Sequence, residues 1–229
     1  MKNKIKIKIR AAKTRKILKS LYPEVKPQLH FRNPFELLVA TILSSQCTDK
    51  QVNRVTPKLF HRLKSPQDFT RASLEEIETL IRSTGFYRNK AKNIKACCRV
   101  LLETHGGRVP DRLDELVGLP GVGRKTANVV LGAAFERPGI VVDTHVKRVS
   151  WRLGFTQNGD PVKIEFDLME IIPRKDWSDF SLRMVFFGRE TCTARKPRCP
   201  VCLLDPLCPY PDKTIFRPQM ALSRHLRLF

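Results

Sequence analysis

Apolar positions recur at helical spacing along most of this chain. Asn33-Pro34-Phe35-Glu36 predicts a helix start. Asn33 can cap, Pro34 falls in the first turn where its missing N–H costs nothing, and Glu36 can reach back to the cap. The run from Phe35 to Leu43 is apolar on almost every side, as a central buried helix requires. Thr48 with Gln51, and Ser73 with Glu76, read as two more capping boxes, and Gly85 and Gly106 read as helix stops. Between those glycines Ala91, Ile94, Cys98 and Leu101 share one helical face, which assigns Cys97 and Cys98 to the core. Asp160-Pro161 opens a helix ending near Pro173, and Ser178 or Asp179 opens the next, through Phe187. A period of two shows only at Val141-Val142 and in the charged N-terminal tail, where Lys alternates with Ile between Met1 and Arg10. The pattern predicts an all-α protein without internal repeats.

Composition narrows the partners. A chain of 229 residues can form one large domain or two small ones and can bury a real core. No apolar run approaches the roughly 20 residues of a membrane span, and the N-terminus lacks the continuous apolar stretch of a signal peptide. The charge changes the picture more. There are 43 Lys and Arg against 22 Asp and Glu, a formal net charge of +21. Such an excess repels itself, so a polyanionic partner is expected, nucleic acid before all others. Simple solubility or association with ribosomes are the alternatives at this point. The seven cysteines are an odd number, which with no secretion signal argues against a disulfide framework.

Three constellations carry candidate chemistry. The first is Leu116-Val117-Gly118-Leu119-Pro120-Gly121-Val122-Gly123-Arg124-Lys125-Thr126. A short helix from about Leu113 precedes it, and a longer one follows with Ala127, Val130, Leu131 and Ala134 as its apolar stripe. Gly121 and Gly123 permit backbone angles and close approaches that other residues resist. A turn of this kind points free N–H groups outward at a helix N-terminus, where an anion is welcome. It looks like a helix–hairpin–helix, spanning about residues 113–135, that grips phosphate without reading sequence. A plain helix corner is the alternative, and the spacing of a nucleotide P-loop is absent.

The second is the pair Lys125 and Asp143. The helix N-terminus and neighbouring Arg124 both disfavour a positive charge on Lys125, as partial burial would, and such an amine is the standard Schiff-base nucleophile. A lysine beside an arginine can equally be a phosphate contact. Asp143, in Val141-Val142-Asp143-Thr144-His145-Val146, reads as the N-cap of a helix running to Leu153, a role compatible with catalysis. The third is Cys192, Cys199, Cys202 and Cys208, a C-x6-C-x2-C-x5-C segment flanked by Arg189, Arg195, Lys196 and Arg198. Four thiolates so close in sequence can surround zinc or a cubane iron–sulfur cluster.

The run Leu-Pro-Gly-Val-Gly-Arg-Lys-Thr-Ala-Asn, then Val-Asp-Thr-His, then the four-cysteine spacing, in that order, resembles the endonuclease III family. Leu43-Ser44-Ser45-Gln46 and Gly85-Phe86-Tyr87 are similar to that family's two DNA-wedging loops, although Phe86 stands where many members carry an aliphatic residue. The likeness extends from about Ala11 to Asp212. It implies a two-lobed helix–hairpin–helix DNA glycosylase fold: residues 27–137 form a helical-barrel lobe, residues 1–26 with 138–212 an iron–sulfur lobe, and residues 213–229 a basic tail, expected to be partly disordered. It implies that Lys125 is the nucleophile and Asp143 the catalytic carboxylate. Gln46 and Phe86 would fill the gap left by a flipped base, and Leu119, Gly121, Gly123 and Arg124 would meet the DNA backbone. The four cysteines would hold a [4Fe–4S] cluster. The partner would be double-stranded DNA containing damaged bases or abasic sites. The implied enzyme is a bifunctional DNA glycosylase and AP lyase of base excision repair, removing oxidised pyrimidines and cutting 3′ to the lesion by β-elimination. A monomer, without a membrane association, in the cytoplasm at the nucleoid of a bacterium, fits that reading. The alternatives are a monofunctional adenine glycosylase, which lacks the lysine and carries a further C-terminal domain, and a non-enzymatic DNA-binding module.

Overall fold

The computed structural model describes residues 2–213; most of the basic tail, residues 214–229, lies outside them. Among the described residues the regular structure is helical, with no strand. The order is α1 (Lys2–Leu21), α2 (Pro34–Leu43), α3 (Asp49–Arg62), α4 (Pro66–Arg71), α5 (Leu74–Ile81), α6 (Tyr87–His105), α7 (Leu113–Val117), α8 (Arg124–Ala134), α9 (Thr144–Arg152), α10 (Pro161–Met169) and α11 (Trp177–Glu190). Short 3₁₀ turns occupy Arg82–Thr84, Arg174–Asp176, Cys199–Val201 and Asp205–Leu207. No described helix is long and apolar enough to cross a membrane.

Helix starts follow cap chemistry. Asn33 accepts the Glu36 N–H at 2.9 Å, and Asp160 accepts the Lys163 N–H at 2.9 Å. Each such cap contributes ~1 kcal/mol. The Glu36 carboxylate reaches past the cap, to the Arg32 N–H at 2.8 Å and the Arg32 guanidinium. The Thr48 and Ser73 hydroxyls cap α3 and α5, but neither box closes. Gln51 turns to Ser83 at 2.7 Å and Glu76 to Arg62 at 2.9 Å. The complete reciprocal box is at Ser65 and Asp68. α11 starts one residue before Ser178 and continues three residues beyond Phe187.

The N-terminal alternation of Lys and Ile does not make an extended segment. α1 begins at Lys2, because Ala11, Thr14 and Leu18, all fully buried, form a helical stripe with Ile7 and Ile17 against the second core. Ile5 and Ile9 are left exposed. The Val141-Val142 segment is likewise a connection and not a strand.

Two apolar cores result. The first is built around α2, whose residues Phe35 to Leu43 are all buried, and takes in Val52 and Leu59 of α3, Ile77 of α5, Ile94 and Leu101 of α6, and Val130 of α8. Cys97 and Cys98 belong to it, and burial pushes their thiols up, Cys97 to about 12. The second core joins α1 to α9, α10 and α11 through Leu18, Val149, Ile164, Leu168, Phe180 and Phe187. α8 packs into the first core and α9 into the second, so Lys125 and Asp143 stand at the N-termini of helices rooted in different cores. Polar bridges hold the two together: Arg124 of α8 pairs with Glu165 of α10 at 2.7 Å, and Arg189 of α11 pairs with Asp49 of α3 at 3.3 Å.

Candidate active site

The hairpin between α7 and α8 is anchored from inside. Leu116, Leu119 and Val122 are buried, while Gly121 and Gly123 face outward. The Leu119 N–H is spent on the Leu116 carbonyl at 3.1 Å and the Val122 N–H on the Leu119 carbonyl at 3.1 Å. Among the described residues no acceptor takes the N–H groups of Gly121, Gly123, Arg124 or Lys125. Four free donors therefore cluster at the start of α8, at the positive end of its dipole. Leu119 offers neither its side chain nor its N–H. Gly121 has φ +77°, and a Cβ there would lie 2.8 Å from the Asn93 Cβ. A Cβ on Gly123 would meet nothing within 4 Å.

Arg124 points across to the second core. Its guanidinium forms a bidentate pair with the buried carboxylate of Glu165 on α10, at 2.7 and 2.9 Å, and lies over the Phe166 ring at 5.3 Å. It clamps the hairpin to α10, and its charge is balanced there. Lys125, one residue further, is exposed, so burial adds nothing to the effect of the helix N-terminus on its amine. The physical reason is register: Val122 and Ala127 take the inward positions, which turns the second helical residue outward.

Asp143 is held tightly. Its Oδ1 accepts the His145 and Val146 N–H groups, each at 2.8 Å, and its Oδ2 lies 2.9 Å from His145 Nδ1. The carboxylate is only 15% exposed. No hydrogen bond or ion pair joins Asp143 to Lys125 among the described residues.

The two loops resembling DNA wedges share a local conformation. Gln46 and Phe86 both have left-handed backbones, φ +52° and +47°, rare for residues with a side chain. Both are exposed, Phe86 by 63%. Such strain in two exposed tips marks positions the surrounding structure fixes deliberately.

The four C-terminal cysteines line one pocket with Arg152, Leu153, Phe187 and Tyr210. None is in a disulfide. Burial and the other three thiols push Cys202 up to about 11. Among the described residues no three His, Cys, Asp or Glu side chains are gathered to hold a metal ion; the thiols stand around the pocket instead. Arg152 donates to Cys192 Sγ at 3.3 Å and to the Thr193 and Ala194 carbonyls, and Arg148 donates to the Cys192 and Gly188 carbonyls. Sequence reading passed over both arginines. Their signal was an i, i+4 pair on the helix that Asp143 caps. Arg195, Lys196 and Arg198 remain exposed beside the pocket, and Lys213 pairs with Asp205, one of its lining residues, at 3.0 Å.

This fold and hairpin define a class of DNA repair proteins. Residues 39–174 match the model of the HhH-GPD superfamily base excision DNA repair protein family. Among curated relatives the chain is 54% identical to endonuclease III of Synechocystis sp., covering 88% of this chain and 93% of the relative. It is 52% identical to endonuclease III of Bacillus subtilis, covering 82% and 86%. A solved structure of a trapped endonuclease III–DNA covalent intermediate is 49% identical and superposes with a TM-score of 0.85 over 88% of this chain and 95% of that one. The chain belongs to the endonuclease III family within the HhH-GPD superfamily.

Proposed function

We propose that this base excision repair glycosylase and AP lyase uses Lys125 as its amine nucleophile and Asp143 as its catalytic carboxylate, on duplex DNA gripped by the hairpin. The observation that carries the reading is the start of α8: an exposed primary amine beside four backbone N–H donors with no partner among the described residues. Donors at a helix N-terminus bind a phosphate, and the amine next to them is then delivered to the sugar it belongs to. Arg124, engaged with Glu165, serves to fix the hairpin on α10, and Leu119 serves as its buried anchor.

The Lys125 amine forms a bond to C1′ of the damaged nucleoside as the base leaves with the bonding pair. Asp143, immobilised by three hydrogen-bond contacts, stabilises positive charge developing on the sugar or receives a proton from the amine. Ring opening gives a Schiff base, which acidifies the C2′ hydrogens. Loss of one of them expels the 3′ phosphate and cuts the strand by β-elimination. Gln46 and Phe86 enter the stack where the extruded nucleotide leaves a gap. Oxidised pyrimidines are the substrate class this family assignment favours.

The residues around the four-cysteine pocket fit an iron–sulfur group. Cys192, Cys199, Cys202 and Cys208 supply four thiolates, and a [4Fe–4S] cluster has four corners spread around a volume, unlike a single tetrahedral zinc. When bound it would cross-link the segment 192–208, and the reaction above has no net electron transfer to ask of it. Residues 27–137 and residues 1–26 with 138–212 would then be the two lobes, one around each core.

Replacing Lys125 by Gln tests the proposal. The variant should fold and bind damaged duplex, yet lose borohydride trapping, because only an amine forms a reducible Schiff base. Trapping at the parent level would assign the nucleophile to another amine.

A further inference from the structure

Lys90 is buried, with 5% of its surface exposed, and its amine has no acidic partner among the described residues. It donates instead to two backbone carbonyls, Leu43 at 2.8 Å and Thr84 at 2.7 Å. Both are chain ends of helical segments. Leu43 is the last residue of α2, and Thr84 is the last residue of the 3₁₀ turn Arg82–Thr84. Carbonyls there lack helical donors and carry the negative end of the dipole, so a cation suits them. Each also immediately precedes one of the two strained tips: Leu43 leads into Ser44, Ser45 and Gln46, and Thr84 into Gly85 and Phe86. Burial lowers the Lys90 ammonium from its ordinary range, with Cys47 opposing the shift, a cost that a neutral side chain in this core position would avoid. A second bond between the same two regions, Gln51 Nε2 to Ser83 Oγ at 2.7 Å, lies on the surface.

We infer that Lys90 is a positioning residue for base extrusion, one ammonium that fixes the roots of both wedge loops so that Gln46 and Phe86 enter the duplex in a set relation to each other. The inference rests on the proposal that these two residues fill the gap left by the extruded nucleotide. A wedge built from two separate loops acts as one only if their separation is held. Lys90 holds it through backbone atoms, independently of the side chain at either tip.

The test uses the full-length protein and duplexes carrying 2-aminopurine beside an oxidised pyrimidine, so that fluorescence reports unstacking. Lys90→Met keeps the length and burial of the side chain and removes both donors. Unstacking and excision of the lesion are expected to slow on the order of 10- to 100-fold, the effect of displacing a positioning group by about 1 Å. Borohydride trapping on a duplex with a preformed abasic site, which has no damaged base to extrude, should change far less. A merely structural role would lower both activities together, and that parallel loss, or no loss at all, overturns the inference. Should Lys90→Met fail to fold by circular dichroism, Lys90→Gln, which keeps a polar donor but not the reach and charge to serve both carbonyls, takes its place, with the same split expected in a milder form and its absence equally contrary. Gln46→Ala and Phe86→Ala separate the two layers. If these unstack the lesion as fast as the parent, the wedge proposal fails and the clamp with it. If they slow it while the clamp variants do not, only the clamp fails.

Discussion

Asp143 carries two duties on one carboxylate, and the two can be separated. Asn retains one acceptor oxygen for the His145 and Val146 N–H groups, so Asp143→Asn should keep α9 and the fold. It removes the negative charge, and loss of one such group commonly costs a factor of ~10² to 10⁴ in rate. Single-turnover excision from a lesion duplex checks this, and a rate within a few-fold of the parent would leave Asp143 as a cap only. The capping role was legible in the sequence, because an Asp between an apolar run and a helical stripe has few other uses. The contact with His145 was not, since a side chain two residues on can turn either way. The exposure of Lys125 was not legible either: the motif fixes the turn, but the register of α8 decides which residue faces inward.

At the level of elements, the hairpin offers a sharp contrast between its two glycines. Gly121 combines φ +77° with a Cβ position 2.8 Å from Asn93. Gly121→Ala should therefore destabilise the fold by at least ~1 kcal/mol, the cost of a left-handed residue with a side chain, seen as a lower denaturation midpoint. Gly123 has open space around it, so Gly123→Ala should leave that midpoint nearly unchanged while weakening binding to any duplex, damaged or not, because the added methyl occupies the approach of the phosphate. Equal affinity for the two proteins would remove the hairpin from the binding surface. The turn was legible from Pro120 and the glycines alone. The bidentate pair of Arg124 with Glu165 was not, because it joins residues 41 positions apart through tertiary packing. The capping boxes show the same boundary: Thr48 and Ser73 cap as local chemistry dictates, but Gln51 and Glu76 find better partners on neighbouring elements.

Across the whole molecule the helical class, the central α2 and the core placement of Cys97 and Cys98 followed from periodicity. The helical N-terminus did not, since its alternating Lys and Ile conceal a stripe that only the second core reveals. The net charge of +21 requires that affinity for undamaged duplex fall steeply with salt, with ~0.9 in the log–log slope for each phosphate neutralised; a flat dependence in a titration would contradict an electrostatic interface. Protein prepared without oxygen should be yellow-brown and contain iron and sulfide, and Cys202→Ser should lose both; one zinc without iron would refute the cluster. The central claim, that Lys125 is the amine which attacks the sugar, is tested most directly by reducing the parent protein on a lesion duplex with borohydride, digesting the adduct and sequencing the cross-linked peptide by mass spectrometry. The expected result is a single modified peptide with the deoxyribose remnant on Lys125. A remnant on the N-terminal amine, on Lys147 or on any other lysine would contradict it.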